Sequence, residues 1–130
     1  MGERGNIAIT QPGAKDTLYL HTHWKGPRVR EILASALTKG KERWSHPSYL
    51  TRIIFDELVN GDRSLTGYGI DVGQIGDNDY PIPHVGWDED GHLWVAPDGI
   101  DTAVYEAQVW LDRRKAVDAT FREAELKEPF

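Results

Sequence analysis

Apolar spacing changes twice along this chain, and that change limits the fold more than any other feature of the sequence. Asn6-Ile7-Ala8-Ile9-Thr10 reads as a strand, Gln11-Pro12-Gly13-Ala14-Lys15-Asp16 carries turn chemistry, and Thr17 to Trp24 is aromatic and β-branched. From Pro27 to Asn60 the spacing becomes helical, in two pieces, and from about Leu65 it returns to short strands. A chain in this order is expected to lay a helix pair over a sheet built from both flanking segments.

The helices carry their own signals. Pro27 suits a first turn, Val29, Ile32, Leu33, Ala36 and Leu37 form a stripe, and Gly40 ends it. In the second, Ser45 or His46 can cap, Pro47 fits the first position, and Leu50, Ile53, Ile54, Leu58 and Val59 face inward until Asn60-Gly61-Asp62. Three further strands are expected at 68–72, 80–87 and 92–95, with a Gly-closed hairpin loop at Asp88-Glu89-Asp90-Gly91. Pro81 and Pro83 have no N–H, which marks their strand as an edge or a bulge. The class is therefore α+β: an antiparallel sheet of about five strands, two to three helices on one face, order ββ-αα-βββ-α. Residues 1–97 make one domain. Residues 98–130 form a helical extension, with Val104, Ala107, Leu111 and Phe121 as its stripe plus Tyr105 and Trp110. That extension packs on the domain or on a neighbouring subunit.

Several function classes fall away on composition. The chain has 130 residues and no Cys, so neither a disulfide framework nor a thiol-based zinc site or nucleophile is expected. No apolar run approaches the ~18 residues of a membrane span, and the N-terminus lacks a signal peptide's apolar stretch. A cytoplasmic protein of a bacterial host is the expectation. The net charge of −6 hides an asymmetry: residues 1–60 carry nine Lys and Arg against six acids, while residues 61–100 carry one Arg against eight acids. A broad basic face for duplex nucleic acid is not expected; a local patch holding one small anion is.

Two groups of residues could carry chemistry. His21 and His23 share one face of a strand, and with Asp77 or Asp79 they suggest a metal site or acid–base work on a phosphodiester. A second His-x-Thr motif, which two-histidine phosphoesterases need, is missing. The other group mixes cations with aromatic rings: Trp24-Lys25 where a strand hands over to a helix, and Arg43-Trp44 and Arg52 on the helix pair. Such a mixture suits a stacked base with phosphates held by Arg or Lys.

Five patterns give the chain a resemblance. They are Gly2-Glu3-Arg4-Gly5-Asn6, Tyr19-Leu20-His21-Thr22-His23-Trp24, the run from Arg43-Trp44 through Pro47 and Tyr49-Leu50 to Arg52-Ile53-Ile54-Phe55, Thr66-Gly67-Tyr68-Gly69-Ile70, and Asp77-Asn78-Asp79-Tyr80-Pro81-Ile82. Together they resemble an uncharacterised family of small phage, prophage and actinobacterial proteins, over about residues 1–95. The resemblance implies a binding protein without turnover, such as a counter-defence protein that sequesters a nucleotide-derived signal of the cyclic nucleotide or cyclic ADP-ribose type. The expected site is Arg4, Asn6, His23, Trp24, Lys25, Arg43, Trp44 and Arg52, in a homo-oligomer, with no cofactor or metal. Two alternatives stand beside it: a phosphodiesterase or hydrolase using His21, His23 and Asp77, and a protein-directed inhibitor working through the acidic stretch from Asp62 to Asp98.

Overall fold

Strands β1 (Gly5–Thr10) and β2 (Leu18–Thr22) form the expected antiparallel hairpin, with Ile7 opposite Leu20. The computed structural model describes residues 3–62 and 66–127, without the side chains of 118–127. Helices α1 (Val29–Lys39) and α2 (Pro47–Val59) follow, then β3 (Tyr68–Val72), β4 (His84–Trp87), β5 (Leu93–Ala96), β6 (Tyr105–Glu106) and α3 (Ala107–Lys127). The strands lie in the order β3-β2-β1-β4-β5-β6. The α+β class and the order of its main elements are as the sequence indicated.

Three details differ. The sheet is mixed, because β4 runs parallel to β1 while every other pair is antiparallel. With β2 on one side of β1, the chain passes by β3 and residues 73–83 to the other side and arrives in β1's own direction. The proline-containing strand is neither an edge nor bulged: β4 begins at His84, past Pro81 and Pro83, and sits between β1 and β5. Pro83 contributes its carbonyl, which accepts the Ala8 N–H at 2.9 Å. A sixth strand, two residues long, adds Tyr105 opposite Val95.

Alternation sorts the sheet's two faces. Ile7, Ile9, Leu20, Val85 and Val95 point to the helices and are fully buried. There they meet Leu33 and Leu37 of α1, Leu50, Ile54 and Leu58 of α2, and Ala107, Trp110 and Leu111 of α3. Each of the buried Val, Leu and Ile side chains contributes about 1.5–3 kcal/mol by leaving water. The tail thus joins the core of its own chain through the start of α3. Val104, expected inward, is 51% exposed, and Phe121 lies outside the described side chains. Asn6, Ala8, Thr10, Tyr19, His21, His84, Gly86 and Trp94 occupy the opposite face.

Both helix ends use the residues that flank them. Gly40 closes α1 with its N–H on the Ala36 carbonyl at 2.8 Å. At the end of α2, Asn60 and Gly61 take positive φ, and Lys25 Nζ donates to the Leu58 and Val59 carbonyls at 2.8 and 3.2 Å. A cation on the last carbonyls of a helix opposes its dipole and satisfies acceptors that have no partner within the helix. His46 stands at the N-cap of α2 without a side-chain capping bond.

Candidate functional site

The residues proposed from sequence fall into three separate places. Arg4, Asn6, His21 and Asp77 come together where the loop after β3 crosses the end of β1. The fully buried Asn6 side chain donates to the Asp77 carbonyl (3.0 Å) and Asn78 Oδ1 (3.1 Å), and its own oxygen meets His21 Nδ1 at 3.2 Å. The Arg4 carbonyl accepts the Asp79 N–H and the Arg4 N–H donates to the Asp79 carboxylate, both at 2.9 Å, while Arg4 Nε lies 3.7 Å from the Asp77 carboxylate. These contacts fasten a loop to a strand and engage both ends of the Asn6 amide, whereas the buried Arg4 Nε has no hydrogen-bond partner among the described residues and meets only the Asp77 charge.

Lys25 is spent on the end of α2, and its charge also lies 5.3 Å from the Tyr68 ring centre. Trp24 packs against Gly67, where a Cβ would come within 2.0 Å of its ring, and stands edge-on to His23 and Tyr68. Tyr68 donates to Asp62 at 2.7 Å; burial and that carboxylate push its pKa up to about 12. Arg43 stacks on Tyr49 at 4.5 Å, and Arg52 pairs with Asp56. Trp44 donates to the Leu37 carbonyl at 2.9 Å, bracing the α1–α2 connection. Arg43 and Lys25 thus serve opposite ends of a 13-residue helix, about 18 Å apart at 1.5 Å per residue. One small ligand does not touch all three places.

The metal reading of His21 and His23 lacks its third ligand as well. β2 ends at Thr22, so His23 lies past the strand. Among the described residues, the one trio of candidate ligand atoms within 4.8 Å of one another is Asp88, Asp90 and His92, all exposed, in the β4–β5 turn. There the Asp88 carboxylate accepts the Asp90 and His92 N–H groups, which hold its pKa below the usual carboxylate range. That bonding accounts for the turn.

A different place assembles cations and rings around a hollow. Strand β6 runs directly into α3, so Tyr105 is followed within two helical turns by Trp110, Arg113 and Arg114. Pro97-Asp98 after β5 and Arg30 on α1 close the other sides, with Val117 at the rim. The hollow has a volume of about 280 Å³. The Arg113 guanidinium lies 5.0 Å from the Tyr105 ring centre and Arg114 lies 5.3 Å from that of Trp110. Trp110 is 5% exposed, so its ring serves as a platform for Arg114 and not as a surface for a base. A guanidinium stacked by its face keeps its N–H edge available for an anion. Arg30 donates to Asp98 at 2.8 Å, whereas Arg113 and Arg114 have no acidic partner among the described residues. In the sequence Tyr105 and Trp110 read as part of an apolar stripe, and nothing local ties Arg113 and Arg114 to Arg30 or Asp98. A signal was present in Trp110 and Arg114 at i, i+4, one face of a helix.

The surroundings of His84 move its pKa. It is half-buried on the face away from the helices, 5.3 Å from the Trp94 ring centre, with Nε2 2.8 Å from Thr10 Oγ1, which in turn lies 2.7 Å from Thr17 Oγ1. Burial disfavours the charged form and lowers its pKa below 6.5. A histidine depressed in the folded state contributes stability above its unfolded pKa and loses it as pH falls through the folded value. Urea midpoints are therefore expected to drop from pH 7 toward pH 5, and less so in His84→Gln. Equal pH dependence in both proteins would refute the assignment.

No family model matches the chain, and neither a curated protein nor a solved structure is significantly similar to it. Among the described residues, no helix is long and apolar enough to cross a membrane.

Proposed function

We propose that this protein binds a small phosphate-bearing ligand of the nucleotide class in the hollow between α1, α3 and the end of β5, and holds it without turnover. One observation carries the reading: among the described residues, three guanidiniums and one carboxylate line a hollow of about 280 Å³ in a chain whose net charge is −6. A local excess of cations against the overall charge focuses anions at that point. The volume is near the lower limit of small-molecule sites, which suits a single nucleotide or a pyrophosphate group. Among the described residues, the lining offers no hydroxyl nucleophile apart from Tyr105 and no histidine, and its one carboxylate is engaged by Arg30. Storage fits such a lining better than hydrolysis. The resemblance to phage proteins makes a nucleotide-derived immune signal the first ligand to try.

Calorimetry against ADP, AMP, cyclic AMP, cyclic ADP-ribose and inorganic pyrophosphate tests the reading. Affinity is expected to fall with salt and to drop roughly tenfold or more in Arg113→Ala/Arg114→Ala, in line with the loss of two charge-assisted contacts. Arg43→Ala should leave it unchanged. Ligand released by heating should keep its mass. No binding of any of these compounds at high micromolar concentration would end the proposal.

A further inference from the structure

We infer that Asp98 is an internal competitor for the ligand's anion, occupying the Arg30 fork until a phosphate displaces it. The inference rests on the hollow being the anion site and adds how that site is regulated. Of the three guanidiniums on the lining, Arg113 and Arg114 are held by ring faces, and only Arg30 already has an anion, the Asp98 carboxylate at 2.8 Å. Both partners are about half-exposed, so the pair is weak enough to exchange. Asp98 stands just after β5, and the turn that follows is closed by backbone: Gly99 N–H on the Ala96 carbonyl at 3.2 Å and Thr102 N–H on the Gly99 carbonyl at 3.1 Å. Its side chain has no other hydrogen bond among the described residues, so the carboxylate can leave Arg30 without unmaking the turn.

Two consequences follow from that geometry. Among the described residues, the free hollow presents two positive charges without an acidic partner, which matches a pyrophosphate or a terminal phosphate better than a neutral nucleoside. Second, the ligand's anion and Asp98 compete for one set of N–H donors, so the carboxylate weakens binding while keeping Arg30 extended toward the hollow. The opposite role, in which Asp98 orients Arg30 and strengthens binding, predicts the reverse sign.

Calorimetry with inorganic pyrophosphate and with ADP, on the full chain and on Asp98→Asn, distinguishes them. Asp98→Asn is expected to bind both about two- to fivefold more tightly, the range of one exposed ion pair. In an Arg30→Ala background the gain should shrink toward none. Asp101→Asn, which removes a nearby charge without touching Arg30, should not reproduce it. Unchanged or weaker binding by Asp98→Asn would overturn the inference while leaving the hollow intact as an anion site. A gain that persists without Arg30 would overturn it too. Absence of binding in the wild-type chain and in Asp98→Asn alike would remove the hollow reading, and this inference with it.

Discussion

Asn6→Leu is expected to cost about 2–4 kcal/mol of stability, enough to lower the melting temperature by roughly 10 °C in a domain of this size. Asn6 is fully buried, and its amide is the knot between β1, β2 and the loop that leads to β4. Leucine fills the space but leaves the Asp77 carbonyl and the His21 ring without a partner there. Asp77 and Asn78 are exposed and can turn to water, so the cost comes from losing three bonds at once, each contributing about 0.5–1.5 kcal/mol net. Asn6→Asp makes the test sharper. It preserves shape and can still accept from His21, but it cannot donate to Asp77, so it should be destabilised nearly as much. Urea denaturation of the three proteins checks this. If Asn6→Asp proves harmless, the donated bond is not what holds the loop.

Gly26→Ala is expected to be the other costly change, by about 2–3 kcal/mol. A Cβ there would lie 2.5 Å from the Glu3 carbonyl oxygen, 2.9 Å from the Arg4 carbonyl carbon and 2.6 Å from the Tyr80 ring. Two of those three neighbours are backbone, and the Gly26 N–H donates to the same Glu3 carbonyl at 2.8 Å. The approach is therefore fixed by main chain on both sides, where a flexible side chain could have yielded. Overpacking of this kind forces backbone shifts. Gly69→Ala is the control. It lies in β3 with nothing within 4 Å, and alanine in a strand should be neutral or slightly stabilising. Comparable losses at both glycines would mean that close approach is not the cause.

Legibility in the sequence followed the range of the interactions concerned. α2 was plain because Pro47, the stripe from Leu50 to Val59 and the Asn60-Gly61 stop all act within a few residues of one another. The partner of β1 across its second edge was not, since Ile9 meets Val85 only after 75 intervening residues and no local pattern records the direction of approach. β6 was invisible for a different reason: two residues cannot display a period. The candidate site divides the same way. In the sequence Trp24 and Lys25 read as a cation beside a ring, yet their partners are Gly67 and the carbonyls of Leu58 and Val59. Composition cannot say whether a lysine is waiting for a ligand or has already been used by a helix end. Arg113 and Arg114 carry no local sign of Arg30 and Asp98, which come from distant segments.

The parallel pairing of β1 with β4 also governs how the chain emerges from a ribosome. Its first strand is central in the finished sheet, yet the strand that covers its second edge is made last among its neighbours. While residues up to 83 are being synthesised, the hairpin and both helices can associate, but β1 keeps one row of backbone groups open and Ile9 lacks Val85 beside it. An exposed strand edge is a template for pairing with other chains. During translation that edge of β1 therefore stays unpaired by its native partner from the completion of α2 until His84–Trp87 has been made.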